Sequence, residues 1–130
     1  MCERGDKPNT VLHFSCIHEA QISCAQLLRS IGYRVLSPSD GFETIEVATR
    51  EPVDAVVLDL HHSRVEVMLI AREIKRRRPQ LPVLVLVEAA TPAIDFEESV
   101  DAVAARENDL ELVGSLKKLL SPTGQRKSVA

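Results

Sequence analysis

The chain is 130 residues long and 45% hydrophobic, enough apolar content for one compact domain with its own core. A net charge of -3 and an aromatic content of 3% argue against a nucleic-acid binder, which carries a basic excess and aromatic platforms for bases. No apolar run approaches the roughly 20 residues of a membrane span.

Residues 1–9 read as a polar tail without the apolar stretch of a signal peptide. Val11-Leu12-His13-Phe14 is the first strand and ends at Ser15-Cys16. The helix behind it places Ala20, Cys24, Leu27, Leu28 and Ile31 on one face, and Gly32 ends it. Tyr33 to Ser37 is a short second strand. Asp40 and Glu43 form a capping box for the next helix, whose inner stripe is Phe42, Ile45 and Ala48 and which Pro52 stops.

The stretch Asp54-Ala55-Val56-Val57-Leu58-Asp59-Leu60 is a continuous apolar run with a carboxylate near its far end. Such a run reads as a strand buried on both faces. Because burying a charge is costly, Asp59 is expected where the strand emerges. After His61-His62, Ser63 and Glu66 make a second capping box, and the helix behind them buries Val67, Ile70, Ala71 and Ile74 before Pro79.

Leu81 to Val87 is a further buried strand. Thr91-Pro92 opens a short acidic helix with Asp95, Glu97 and Glu98. Ala102 to Ala105 is a fifth strand, and Asn108 with Glu111 caps a last helix carrying Leu112, Val113, Leu116, Leu119 and Leu120. One domain over residues 10–120 is expected, with tails over 1–9 and 121–130.

Five strand–helix alternations imply right-handed crossovers and an all-parallel sheet. The expected architecture is a single-domain α/β three-layer sandwich with the flavodoxin-like strand order 2-1-3-4-5. The switch-point crevice between strands 1 and 3 would be lined by Ser15, Cys16, Asp59, Leu60 and His61.

On these residues the chain resembles the receiver domain of two-component response regulators, the CheY-like family, over about Val11 to Leu120. Pro52 to Leu60 looks like the family's third strand, with Asp59 at the place of its phosphorylated aspartate. Ile31-Gly32-Tyr33-Arg34-Val35, followed by Asp40-Gly41-Phe42-Glu43, looks like the second strand and the turn after it. Leu81 to Leu86 looks like the fourth strand.

The other family positions depart from the pattern. Ser15-Cys16 stands where the family has its magnesium-binding acid pair, Val87 where it has a switch Thr or Ser, and Arg106-Glu107 where it has lysine and proline. The family's Pro and Gly after the aspartate are missing from residues 61–66, and the segment from Val87 to Arg106 is short.

Phosphoryl transfer to a carboxylate depends on metal and cation placement, and magnesium favours carboxylate oxygens. A serine hydroxyl and a thiol beside Asp59 make a poor magnesium site. The resemblance therefore implies a degenerate, cytoplasmic receiver-like module of a phosphorelay. It would not be an enzyme, would need no cofactor, and would act mainly by binding proteins: a histidine kinase, a downstream effector or a second copy. It would bind no nucleic acid and no membrane. With no effector domain within the 130 residues, output is expected to pass through the domain's own contacts or tails.

Arg106 is placed to pair with a phosphate or with Asp59 itself, since a guanidinium fork matches both. One alternative is a phospho-competent receiver at Asp59 with Mg2+, drawing on Glu19 or Glu88. Another is a metal or redox sensor built from Cys16, His18, His61 and His62. Three cysteines fit reduced thiols better than a disulfide framework, and Cys16 and Cys24 read as small core residues. His13 reads as a tolerated or hydrogen-bonded strand residue. The run Lys75 to Arg78 reads as a solvated helix end favoured by the helix dipole.

Overall fold

In the computed structural model, residues 9–59, 64–88 and 99–121 are described. They form β1 (Thr10–Phe14), α1 (His18–Ser30), β2 (Arg34–Leu36), α2 (Gly41–Arg50), β3 (Ala55–Asp59), α3 (Arg64–Arg77), β4 (Val83–Val87), β5 (Ala102–Ala105) and α4 (Asp109–Leu120). The five strands make one parallel sheet of order β2-β1-β3-β4-β5, the order expected from the alternation. The helix expected after Thr91-Pro92, the Ser63 cap and the 121–130 tail after its first residue lie outside the described residues.

Strand alternation sorts the core into two layers. Leu12, Phe14, Val56, Leu58, Val83 and Val85 face α2 and α3. Val11, Ala55, Val57, Leu84, Leu86 and Ala104 face α1 and α4, against Ala25, Leu28, Leu112 and Leu116. The strand faces are aliphatic on both sides because crossover helices cover both.

Local chemistry sets the element ends. Gly32 adopts φ 108, a left-handed conformation open to glycine at little cost. Its N–H donates to the Arg29 carbonyl, and that of Tyr33 to the Leu28 carbonyl, closing α1. At α2 the Asp40 carboxylate accepts from the Glu43 N–H at 2.8 Å, and at α4 the Asn108 side chain accepts from the Glu111 N–H at 3.1 Å. Both boxes close differently from expectation. Glu43 accepts from the N–H and hydroxyl of Ser39, and Glu111 accepts from the Ala105 N–H. Each glutamate thus ties the preceding chain to its helix instead of bonding the cap residue.

Several expectations are corrected. Phe42 is 75% exposed and Ile31 42% exposed, so neither belongs to the core. Thr44 takes the inner position of α2; its hydroxyl donates to the Asp40 carbonyl, which makes burial tolerable. Phe42 points away because Gly41 is the residue at the α3 contact, where an added Cβ would lie 2.9 Å from Ile70 Cδ1. Strand β4 begins at Val83, after Leu81 and Pro82, because Pro82 brings no N–H for a ladder. The basic run is more than a solvated end. Lys75 meets Asp101 at 2.7 Å, and Arg78 donates to the Ala48 carbonyl at 2.9 Å, tying α3 to its neighbours.

Candidate functional site

The order of the sheet reverses at β1, which hydrogen-bonds to both β2 and β3. Ligands of open α/β sheets bind beyond the strand C-termini at such a point. Phe14 pairs with Leu58, Asp59 with Leu86 and Val87 with Ala105. That register brings Ser15 and Asp59 level with Leu86 and Ala104, with Val87 one residue and Arg106 two residues beyond, all at the same edge of the sheet.

Asp59 is 5% exposed. It ends β3 as expected, but under cover. Its Oδ1 accepts from Arg106 Nε at 2.8 Å, with the two side chains 2% and 17% exposed. Arg106 is fixed from behind by its own N–H, which donates to the Val87 carbonyl at 2.6 Å. Its Nη1 lies 3.7 Å from Glu88 Oε2, a carboxylate 67% exposed. The guanidinium therefore sits between a buried acid and an exposed one.

The Ser15 hydroxyl is buried and accepts from the Ile17 N–H at 3.1 Å, closing the turn into α1. The Ser15 N–H donates to Gln21 Oε1 at 3.4 Å, and Gln21 Nε2 donates to the Pro38 carbonyl at 3.0 Å. Sequence reasoning missed this clamp; the only signal was a polar residue on the inner side of α1. Cys16 is exposed, not the small core residue expected, because the chain turns outward there. Val87 is half-buried, and His61 lies outside the described residues.

Two further groups, one half-buried and one fully buried, lie below the pair on the α1/α4 face. Cys24 is half-buried, and burial, with the charges of Asp59 and Asp109, pushes its thiol up to about 12. His13 is fully buried, and neither ring nitrogen has a hydrogen-bond partner among the described residues. Of the two readings of His13, tolerated or hydrogen-bonded, the tolerated one holds among the described residues. Burial holds His13 down at about 4, against the opposing pull of Asp59.

Among the described residues no three His, Cys, Asp or Glu side chains are grouped to hold a metal ion; two of the four residues of the metal alternative, His61 and His62, lie outside them. One strand over from Asp59, an open groove of about 780 Å³ is lined by Val87, Glu88, Val103 and the start of α4. It shares the rim of the site and not its buried acid.

The backbone closely matches known structures. A response regulator receiver domain protein (CheY-like) from Methanospirillum hungatei superposes with a TM-score of 0.78 at 16% identity, covering 93% of this chain and 98% of that one. The chain has the receiver-domain fold. A receiver domain protein from Clostridium thermocellum gives 0.77 at 20% identity over the same shares. A chain of the complex between histidine kinase ThkA and response regulator TrrA gives 0.77 at 21% identity, covering 87% of this chain and 99% of that one.

In sequence, the chain is 37% identical over 59 residues, 45% of its length, to the transcriptional regulatory protein GlrR of Escherichia coli K12 and equally to QseF of E. coli O157:H7. The match spans 13% of each of those proteins. No family model matches. Among the described residues, no helix of this receiver fold is long and apolar enough to cross a membrane.

Proposed function

We propose that the chain is a receiver-like signalling module of a two-component phosphorelay in the cytoplasm, and that it works by protein–protein binding with weak or no phosphorylation. It is a binding module and not an enzyme. The observation that carries this reading is the 2.8 Å pair between Arg106 Nε and Asp59 Oδ1. A carboxylate that attacks a phosphodonor needs a free oxygen and a cation that draws the donor in. Here the guanidinium already holds one oxygen in a nearly dry site, where a charge-assisted bond is strong.

The donor set around Asp59 also fits magnesium poorly. The Ser15 hydroxyl is engaged by the Ile17 N–H, and Cys16 offers a thiol where magnesium takes oxygen. Val87 has no hydroxyl to follow a phosphoryl oxygen, so phosphate and the β4 end are uncoupled. The proposed partners are a histidine kinase, which the likeness to a chain of the ThkA–TrrA complex supports, a downstream effector, or a second copy of the chain.

The test is a titration with berylliofluoride and magnesium, followed through backbone amide resonances. Unchanged resonances for Asp59, Val87 and Arg106 are the expected result. Saturable shifts centred on Asp59 would establish a phospho-competent receiver instead.

A further inference from the structure

His13 is the one buried side chain whose nitrogens lack a partner among the described residues. An imidazole left so in a core forfeits the hydration of both nitrogens, a cost the fold retains although an aliphatic residue would fill the position. Its placement suggests what the ring does. His13 pairs with Val57 in the β1–β3 register, so Asp59 lies two residues further along the neighbouring strand and on the same face. At strand spacing and rise this diagonal is about 8 Å between Cα atoms, within reach of an imidazole and a carboxylate leaning toward each other.

Among the described residues the charged and titratable groups on this side of the sheet are few. Asp59 comes from β3, with Arg106 behind it; Cys24 comes from α1 and Asp109 from the start of α4. Asp59 acts on His13, and both acids act on Cys24. The remaining strand neighbours on this face, Val11, Ala55, Val57 and Leu84, are apolar.

We propose that His13 is the trigger of an acid-operated ion-pair exchange, in which the imidazolium takes the Asp59 carboxylate and Arg106 is released to the rim beside Glu88. The proton comes from solvent and neutral His13 becomes a cation. The Asp59–Arg106 pair opens, the His13–Asp59 pair stands in its place inside, and the guanidinium is left at the solvated rim beside Glu88. No net charge is left unpaired in the core, which a buried cation requires. The exchange is short because Glu88 already lies 3.7 Å from the guanidinium. It reshapes the rim that Val87 and Glu88 share with the adjacent groove, and it holds whether or not Asp59 accepts a phosphoryl group.

The test follows the side-chain nitrogens of His13 and Arg106 by NMR from pH 7 to pH 3.5 on the intact chain, with far-UV circular dichroism on the same samples. In the folded wild type, the Arg106 Nε resonance should move with the same midpoint as the His13 ring. In His13→Val, it should stay in place across that range, and in Glu88→Gln the moved position should differ. An Arg106 resonance that stays in place while the folded chain titrates His13 overturns the proposal. So does movement that persists in His13→Val, or unfolding before His13 takes its proton.

Discussion

The two faces of the sheet are built from the same strands, one residue out of step, and they do different work. On the α2/α3 face, β1 and β3 contribute Leu12, Phe14, Val56 and Leu58, all aliphatic or aromatic and all buried. On the α1/α4 face, the same strands contribute His13 and Asp59 beside Val11 and Val57. One face is closed by apolar packing, tied at its edges by the Lys75–Asp101 pair and the Arg78 bond to the Ala48 carbonyl. The other carries a buried acid, a cation reaching in from beyond β5 and an imidazole without a partner among the described residues. A strand's alternation lets a chain keep both a rigid half and a responsive half without a second domain.

Substitutions on the two faces should separate these roles. The largest effect is expected on the packed face. Leu58→Ala removes a fully buried side chain and should cost about 4 kcal/mol in urea unfolding, at every pH. Next is Arg106→Ala, which leaves Asp59 buried without its 2.8 Å partner. It should cost about 3 kcal/mol, the lower end for breaking a buried pair because Arg106 is 17% exposed. Asp59→Asn combined with Arg106→Ala should recover part of that loss, which a double-mutant cycle measures.

The third effect depends on pH. His13 is held at about 4 in the fold against 6.5 when unfolded. Below about 6.5 the unfolded chain binds a proton that the native chain refuses, so stability falls as pH falls and levels off below about 4. Stability should drop by about 2 kcal/mol between pH 7 and pH 5 in wild type. His13→Val should abolish that portion of the drop, while Leu58→Ala should keep it. The smallest effect lies outside both faces. Asp40→Ala removes the cap that accepts from the Glu43 N–H and should cost about 1 kcal/mol, seen as a lower thermal midpoint.

The contrast between the faces also separates what was legible in the sequence from what was not. Apolar runs such as Val83 to Val87 and alternation with helices were enough for the strand order, because both depend on local pattern and on a fixed crossover hand. The place of Asp59 and its pairing with Arg106 were readable for the same reason: each follows directly from a strand end. What escaped depended on contacts between elements. Phe42 sits at a helical position that suits a core stripe, yet Gly41 makes the contact with Ile70. Gln21, no part of the apolar stripe of α1, clamps the end of β1. His13 was visible as an oddity in an apolar strand, but its lack of partners is a property of the whole surrounding layer. Cys16 was read as core because cysteines commonly are, while the turn held by Ser15 sends it outward.

The account rests on Arg106 holding Asp59. The most direct measurement is the intact mass of the chain after incubation with a small-molecule phosphodonor and magnesium, with Asp59→Asn as the control. No phosphoryl adduct is expected on the wild-type chain, and no mass shift in the control. An acyl-phosphate adduct on wild type that disappears in Asp59→Asn would contradict this expectation.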